Sequence, residues 1–484
     1  MSFRLARCVA CGRTLLQTLR TRSVRFVTSG EVDPIYSHRA ESTVGLDLAT
    51  ELGKLKRRGI FSFTYPSNLL ADGKKSLLKE VRPCVYAGFD PTSDSLHLGN
   101  LLVLLTLLRL QSVGCEVLVI LGGATARLGD PSGRDGDRPE ISKDQVNSNL
   151  EAIHSQIVQL FENFNDYYLD PSLTPSGPPI RILDNDMLYA EANVIDFLSS
   201  VGRRMRVGAM LKRQTIRQRL QSQSGLSLAE FSYQLLQSYD WLRLYQQFGC
   251  RIQLGGSDQL GHFDAGHHLI KYSHGTDCFG LGLPLLTGED GRKFGKSDGN
   301  AIWLSAKKTN PFQLYQYLLR TRDADVQKLL LLLTLISETQ IRELLEAGPW
   351  TAQRKLAEQV SLLVHGKDGL ETALNCSHAL YGNCSLEAFE NLTAQEMAFL
   401  CDHLPTVCLP STSYSMSFET LVEKSGCFPR RKEISNSIRN GGVWLNFERL
   451  RDPDYMIIET DRLKNHPITV IRAGKKNYCF VKWL

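Results

Sequence analysis

Three short runs rich in β-branched and other apolar residues stand out along the chain, Cys84 to Phe89, Glu116 to Leu121 and Arg251 to Leu254. Each runs into a turn and then polar residues, and longer stretches of helical spacing lie between them. From about Lys79 to Gln259 this alternation predicts a parallel sheet covered by helices, with ligands at the strand ends. Beyond Pro311 the apolar spacing is helical to about Leu380, as in PFQLYQYLLR and VQKLLLLLTLI. Strand character returns in GGVWLNFERL and HPITVIRAGKKNYCFVKWL, so three folded units are expected.

Length and charge refine this picture. A chain of 484 residues exceeds what a single hydrophobic core holds. A net charge of +5 is mild, so any surface for a polyanion must come from local basic clusters. The first thirty residues carry Arg4, Arg7, Arg13, Arg20, Arg22 and Arg25 and no acid before Glu31, the composition of a mitochondrial transit peptide; a disordered basic tail is the alternative. The apolar runs Leu101 to Leu108 and Leu329 to Leu333 are too short to span a bilayer. Twelve cysteines are scattered, and the only CxxC, Cys8 with Cys11, lies in the expected leader, so neither a zinc site nor a disulfide framework is indicated.

The most informative segment is VYAGFDPTSDSLHLGNLLVLL. A helix starting near Leu98 offers free backbone N–H groups to an anion. His97 and Asn100, three apart across that start, can add side-chain donors to a phosphate, and Gly99 leaves room for a ligand. The plainer alternative is that His97 only caps the helix. In GRKFGKSDGN, Lys293 and Lys296 sit in a glycine-containing loop. They suit negative charge that develops late in a reaction, although a solvated basic loop has the same appearance.

Together, HLGN and the later KFGKS resemble the paired HIGH and KMSKS signatures of class I aminoacyl-tRNA synthetases. The blocks YAGFDPTSDSLHLGN, GGATARLGDPSG, EFSYQLLQSYD and QLGGSDQLG are similar to those of tyrosyl-tRNA synthetases, with the mitochondrial branch fitting the leader. The resemblance implies an α/β chain: a transit peptide over 1–30, a Rossmann-like parallel-sheet catalytic domain over 31–308, a helical tRNA-binding domain over 309–405 and a small α+β RNA-binding domain over 406–484. It further implies ATP-dependent activation of L-tyrosine, Mg²⁺ arriving with ATP, no protein-bound metal or organic cofactor, and transfer to mitochondrial tRNA(Tyr) by a matrix homodimer.

The implied roles fall on particular residues. His97, Asn100, Lys293, Lys296, Ser297 and Arg134 would serve the chemistry, with Arg138 beside Arg134 on the same loop. Tyr86 and Asp240 would meet the substrate phenol; one donor and one acceptor there reject phenylalanine by leaving polar groups unpaired, a discrimination for which tyrosyl-tRNA synthetase is itself the standard example. Asp130, Tyr233 and Gln237 would hold the α-ammonium group and Gln259 the carboxylate. Tyr233, Gln237 and Asp240, at i, i+4 and i+7, share one helix face. Asp90, Thr92, Gly99, Gly256 and Asp258 would hold ATP. Arg430, Arg431, Lys432, Lys475 and Lys476 would contact tRNA, and Arg203, Arg204, Arg206, Lys212 and Arg213 read either as an acceptor-arm contact or as a solvated face. The rival from another class is a catalytically silent RNA-binding descendant of a synthetase, against which His97, the two lysines and the full pocket argue.

Overall fold

The three strands read from the sequence are neighbours in one sheet. The computed structural model describes residues 48–484 except 68, 71–77, 79–80, 82, 133–135, 137, 170–177, 191, 289–295, 298–299, 383–384, 429–432 and 475–476; for Val24–Val27, Lys296, Ser297, Asn300 and Ser413 it describes the backbone alone. The strands are β1 (Val24–Val27), β2 (Phe63–Tyr65), β3 (Cys84–Phe89), β4 (Glu116–Leu121), β5 (Ile180–Asp184), β6 (Ile252–Gly256) and β7 (Phe279–Leu283), in the order β1-β5-β4-β3-β6-β7-β2. All pairings are parallel except β2 with β7. The order runs one way from β3 through β4 to β5 and the other way through β6 to β7. That is the doubly wound arrangement, with its crevice where the direction reverses, at the ends of β3 and β6. β1, drawn from the stretch read as a leader, pairs with β5 at the edge; the rest of 1–30 lies outside the described residues.

The expected strands β3 and β4 have the bounds read from the sequence, and β6 starts one residue later and ends two residues later than read. β7 escaped the reading because it is FGLGL, where glycine replaces side chains on alternate positions. The structure gives the reason: a Cβ on Gly280 would stand 2.3 Å from the Phe263 ring, and one on Gly282 would stand 2.1 Å from the Phe63 ring. Helices α1 (Leu98–Ser112), α2 (Lys143–Tyr167), α3 (Leu228–Phe248) and α4 (Leu260–His274) pack around the sheet. Helix α1 is apolar on every side, and it is buried accordingly. At its end Arg109 donates to the carbonyls of Leu331, Leu332 and Thr334, which close a helix over Asp323–Leu333, and Arg58 joins it there.

Contacts divide the chain into two units, one built from 1–308 with 321–364 and the other from 309–320 with 365–484, so the helical stretch after 308 contributes to both. The second unit carries a five-stranded sheet, β10 (Thr406–Leu409), β11 (Val443–Leu445), β12 (Glu448–Arg449), β13 (Ile468–Ala473) and β14 (Asn477–Trp483), in the order β10-β14-β13-β11-β12. Helices Phe418–Ser425 and Ile434–Arg439 cover it with Leu421, Val422 and Ile438. The strands β8 (Lys296–Ser297) and β9 (Asn300–Ala301) form a small hairpin of the first unit.

One expectation is corrected. Cys427 and Cys479 are joined as a disulfide with Cα atoms 5.9 Å apart, across a sequence separation of 52 that no local spacing announces. Among the described residues no helix is long and apolar enough to cross a membrane.

Candidate active site

A cavity of about 730 Å³ opens at the ends of β3 and β6. At its outer end lies the HLGN turn. The Asn100 amide N–H donates to His97 Nδ1 at 3.3 Å and the His97 amide donates to Asn100 Oδ1 at 3.1 Å, a reciprocal cap on α1. Capping and phosphate contact are therefore compatible. With Nδ1 accepting, the ring proton sits on Nε2, and with Oδ1 accepting, Asn100 offers its NH₂. Both residues line the cavity. Gly99 serves the histidine first, since a Cβ there would stand 2.9 Å from His97 Cε1.

The chain that follows the second lysine comes back to this turn. β8 and β9 pair Lys296 with Ala301 and Ser297 with Asn300, the Leu98 amide donates to the Ile302 carbonyl at 2.9 Å, and His97 pairs with Trp303. Two motifs remote in sequence thus share one set of backbone hydrogen bonds. Lys293 and Arg134 lie outside the described residues, as do the side chains of Lys296 and Ser297. Arg138 lines the cavity and donates from Nε to the Asp130 carbonyl at 3.1 Å.

The inner wall is built from buried side chains. Tyr86 on β3 is 2% exposed, and its hydroxyl has no hydrogen-bond partner among the described residues. Asp240 on α3 is 4% exposed and accepts two bonds, from Asn185 Nδ2 at 3.0 Å and from the Tyr189 hydroxyl at 2.6 Å. Asn185 also donates to Thr125 Oγ1 at 3.1 Å, and Thr125 donates to Asp90 Oδ1 at 2.8 Å. The Tyr233 hydroxyl donates to the other oxygen of Asp90 at 2.8 Å. One network therefore runs from the tip of β3 through Thr125 and Asn185 to Asp240 on α3. The glycines after β4 admit it, because a Cβ on Gly122 would fall 2.0 Å from Asp90 Oδ1 and one on Gly123 would fall 2.3 Å from Asp184 Oδ1.

A second group stands beside it. Asp130 accepts from the Ser132 amide at 2.8 Å and from Gln259 Nε2 at 3.3 Å, with His262 Nε2 at 3.6 Å. Gln237 Nε2 donates to Gln259 Oε1 at 3.0 Å, while Gln237 Oε1 and Gln253 Oε1 are buried without partners among the described residues. Tyr233, Gln237 and Asp240 all line the cavity from α3, as their spacing predicted, and Thr92, Gly256 and Asp258 line it too.

Burial raises two of these acids and is outweighed at the third. It pushes Asp240 up to about 7, against the hydrogen bonds of Tyr189 and Asn185, and with the charges of Asp90 and Asp184 adding to it. Burial likewise pushes Asp90 up to about 6 despite its bonds to Thr125 and Tyr233. Burial acts upward on Asp130 as well, but the bond and charge of His262 and the Ser132 contacts outweigh it and hold that carboxyl well below the usual range. The Tyr86 phenol lies well above its ordinary value, through burial and then the Asp240 charge.

The predicted residues that are described in full, His97, Gly99, Asn100, Tyr86, Asp90, Thr92, Asp130, Tyr233, Gln237, Asp240, Gly256, Asp258 and Gln259, all line this one cavity. Sequence reasoning missed Thr125, Asn185, Tyr189, Gln253 and His262. Thr125 lies within the block GGATARLGDPSG and Gln253 opens the block QLGGSDQLG, so both could have been suspected there; Asn185, Tyr189 and His262 carried no motif. Arg213 is not a free surface cation: it bonds Gln234 and pairs with Asp264 at 3.3 Å. Arg203, Arg204, Arg206 and Lys212 are exposed. The tRNA candidates Arg430, Arg431, Lys432, Lys475 and Lys476 lie outside the described residues.

A doubly wound sheet with a helix N-terminus and a lysine-bearing hairpin at the outer end of its crevice defines a nucleotide-activating class I site. The family model of class I tRNA synthetases (W and Y) matches residues 78–382, and that of the tyrosine–tRNA ligase SYY-like C-terminal domain matches 396–481. The mitochondrial tyrosine–tRNA ligase of Drosophila melanogaster is 39% identical over 93% of this chain and 96% of its own length, and that of Homo sapiens 38% identical over 90% and 92%. The crystal structure of a C-terminally truncated mitochondrial tyrosyl-tRNA synthetase from Aspergillus nidulans matches with a TM-score of 0.57 at 28% identity, over 67% of this chain and 95% of that one. The chain belongs to the tyrosine–tRNA ligase family of class I aminoacyl-tRNA synthetases, on its mitochondrial side.

Proposed function

We propose that this chain joins L-tyrosine to ATP, giving tyrosyl-adenylate and pyrophosphate, and then transfers the tyrosyl group to the 3′-terminal adenosine of mitochondrial tRNA(Tyr) in the mitochondrial matrix. The observation that carries the reading is the buried, unpartnered Tyr86 hydroxyl in the cavity that also holds the Asp240 carboxylate. A phenol there accepts from Tyr86 and donates to Asp240, whereas phenylalanine leaves the buried Tyr86 hydroxyl unpaired and brings Asp240 no donor.

Asp130, Tyr233 and Gln237 take the α-ammonium group and Gln259 the carboxylate. That carboxylate attacks the α-phosphorus in line, the bond to the β-phosphate oxygen breaks, and the charge moves onto pyrophosphate. His97 Nε2, the Asn100 side-chain amide and the Gly99 N–H receive the phosphates, since the Leu98 and Asn100 N–H groups are taken by Ile302 and His97. Lys293, Lys296, Ser297, Arg134 and Arg138 would offset the charge on the leaving group, and Mg²⁺, arriving with ATP, would add to that neutralisation. Asp90, Thr92, Gly99, Gly256 and Asp258 hold ATP, and Asp258 suits the ribose hydroxyls. A terminal ribose hydroxyl of tRNA then attacks the adenylate carbonyl and expels AMP. Catalysis is positioning and charge stabilisation, with no protein nucleophile.

The second unit takes tRNA through Arg430, Arg431, Lys432, Lys475 and Lys476. The working form is a homodimer. Its support is an exposed apolar set, Val194 at 69%, Ile195 at 71%, Val207 at 57% and Leu228 at 79% exposed, which a second copy would cover. Pyrophosphate exchange with tyrosine, phenylalanine and tryptophan tests the activation step. Exchange with tyrosine alone is expected; a folded protein that exchanges with none of them overturns the reading.

A further inference from the structure

Asp240 is held from two sides, and only one of them faces the cavity. Tyr86, Asn185 and Asp240 line that space, but Tyr189 does not. Its hydroxyl reaches Asp240 Oδ1 at 2.6 Å and the Leu236 carbonyl at 2.9 Å, while its ring packs on Tyr239 with centroids 5.4 Å apart. We propose that Tyr189 is a positioning residue for tyrosine selection: bonding Asp240 from outside the cavity, its hydroxyl fixes the carboxylate that receives the substrate phenol. The inference rests on the assignment of Asp240 to that phenol.

The chemistry follows from counting donors and acceptors. A phenol bound in the cavity donates its proton to Asp240, so the carboxylate must be ionised and turned toward it. A buried carboxylate keeps its charge only if donors surround it, and here the donors are Asn185 Nδ2 and the Tyr189 hydroxyl. Every other titratable group facing Asp240 opposes ionisation or is neutral: Asp90 beyond β3 and Asp184 at the end of β5 are acids, and Tyr86 on β3 and Tyr233 on α3 are phenols. Tyr189 has one proton and two acceptors within reach. The proton goes to Asp240 when the carboxylate is charged. When Asp240 is neutral, its own proton can go to the Tyr189 oxygen while Tyr189 donates to Leu236.

The residue is tested by Tyr189→Phe, which keeps the ring against Tyr239 and removes only the donor, with pyrophosphate exchange as the assay. The KM for tyrosine should rise roughly tenfold with kcat nearly unchanged, and the preference for tyrosine over phenylalanine should fall by about the same factor. The acid limb of kcat/KM should move up by about one pH unit, because the ionised carboxylate loses a donor, so the defect shrinks in alkaline buffer. Should Tyr189→Phe fold poorly, Tyr189→His and Tyr189→Leu are compared, and the histidine, which keeps a ring donor, should retain more selectivity. Asp240→Asn separates the two levels of the claim. If it abolishes the preference for tyrosine while Tyr189→Phe leaves preference and pH profile as they were, the positioning role is overturned and the pocket assignment stands. If Asp240→Asn keeps the preference, the pocket assignment fails and the inference with it. A uniform loss of kcat at an unchanged pH profile also overturns it.

Discussion

The two ends of the cavity are made differently. At the outer end the groups come from two short contiguous segments: within HLGN, His97 and Asn100 cap a helix, and the chain through the hairpin that begins at Lys296 is tied to that turn by backbone bonds such as Leu98 to Ile302. At the inner end nothing is contiguous. Asp240, Asn185, Thr125 and Asp90 come from four segments and are joined by side-chain bonds of 2.8 to 3.1 Å. On the proposed reading, a backbone amide and loop cations serve a charge that appears and leaves. On the same reading, a fixed, buried carboxylate held by two donors serves discrimination between substrates that differ by one hydroxyl, because an unpaired buried group costs free energy at once.

If this division holds, damage at the two ends must have different kinetic signatures. The largest effect is expected from Asp240→Asn, which should lower kcat/KM for tyrosine by roughly a thousandfold or more and erase most of the preference over phenylalanine. Measured exchange rates with both amino acids check it, and a variant that still rejects phenylalanine would break the comparison. Lys293→Ala with Lys296→Ala should instead lower kcat by roughly a hundredfold while leaving tyrosine affinity close to normal, since these cations act on the leaving group. Equilibrium tyrosine binding set against single-turnover adenylate formation separates the two. Gly122→Ala probes the join between the segments. Its Cβ would displace Asp90 or Thr125, so a loss of roughly 1–3 kcal/mol of stability with weaker tyrosine binding is expected in denaturant titrations.

The same division explains what could be read from the sequence. The helix start at the outer end was legible because it is a local pattern with local physics, and β3, β4 and the start of α1 fell where hydrophobic alternation put them. Tyr233, Gln237 and Asp240 were legible as one face because helical spacing is fixed. Asn185 and Tyr189 were not, since a polar residue after a strand is ordinary until it is seen 3.0 Å or 2.6 Å from a buried acid. β7 hid because its glycines make way for the rings of Phe63 and Phe263, a demand set by distant residues. The Cys427–Cys479 pair was invisible for the same reason. What tertiary contact decides, local pattern does not announce.

The inner end also has a cost in stability that its pH dependence should reveal. A carboxyl whose folded value is raised to about 7 contributes stability while it is neutral, in full below its unfolded value near 4, and loses that contribution as pH rises through 7. Wild type therefore carries an unfavourable buried charge at neutral and alkaline pH. Asp240→Asn removes the charge and keeps the hydrogen bonds: its oxygen can accept from Asn185 and its amide can donate to Tyr189, which then donates to the Leu236 carbonyl at 2.9 Å. The variant should thus gain roughly 1–3 kcal/mol over wild type near pH 8, and the gain should fade toward pH 5, as unfolding curves across that range would show. A gain that did not depend on pH would mean that Asp240 is not the group titrating. A gain that follows the expected curve, together with lost selectivity for tyrosine, would show that the carboxylate is kept for recognition at the expense of the fold.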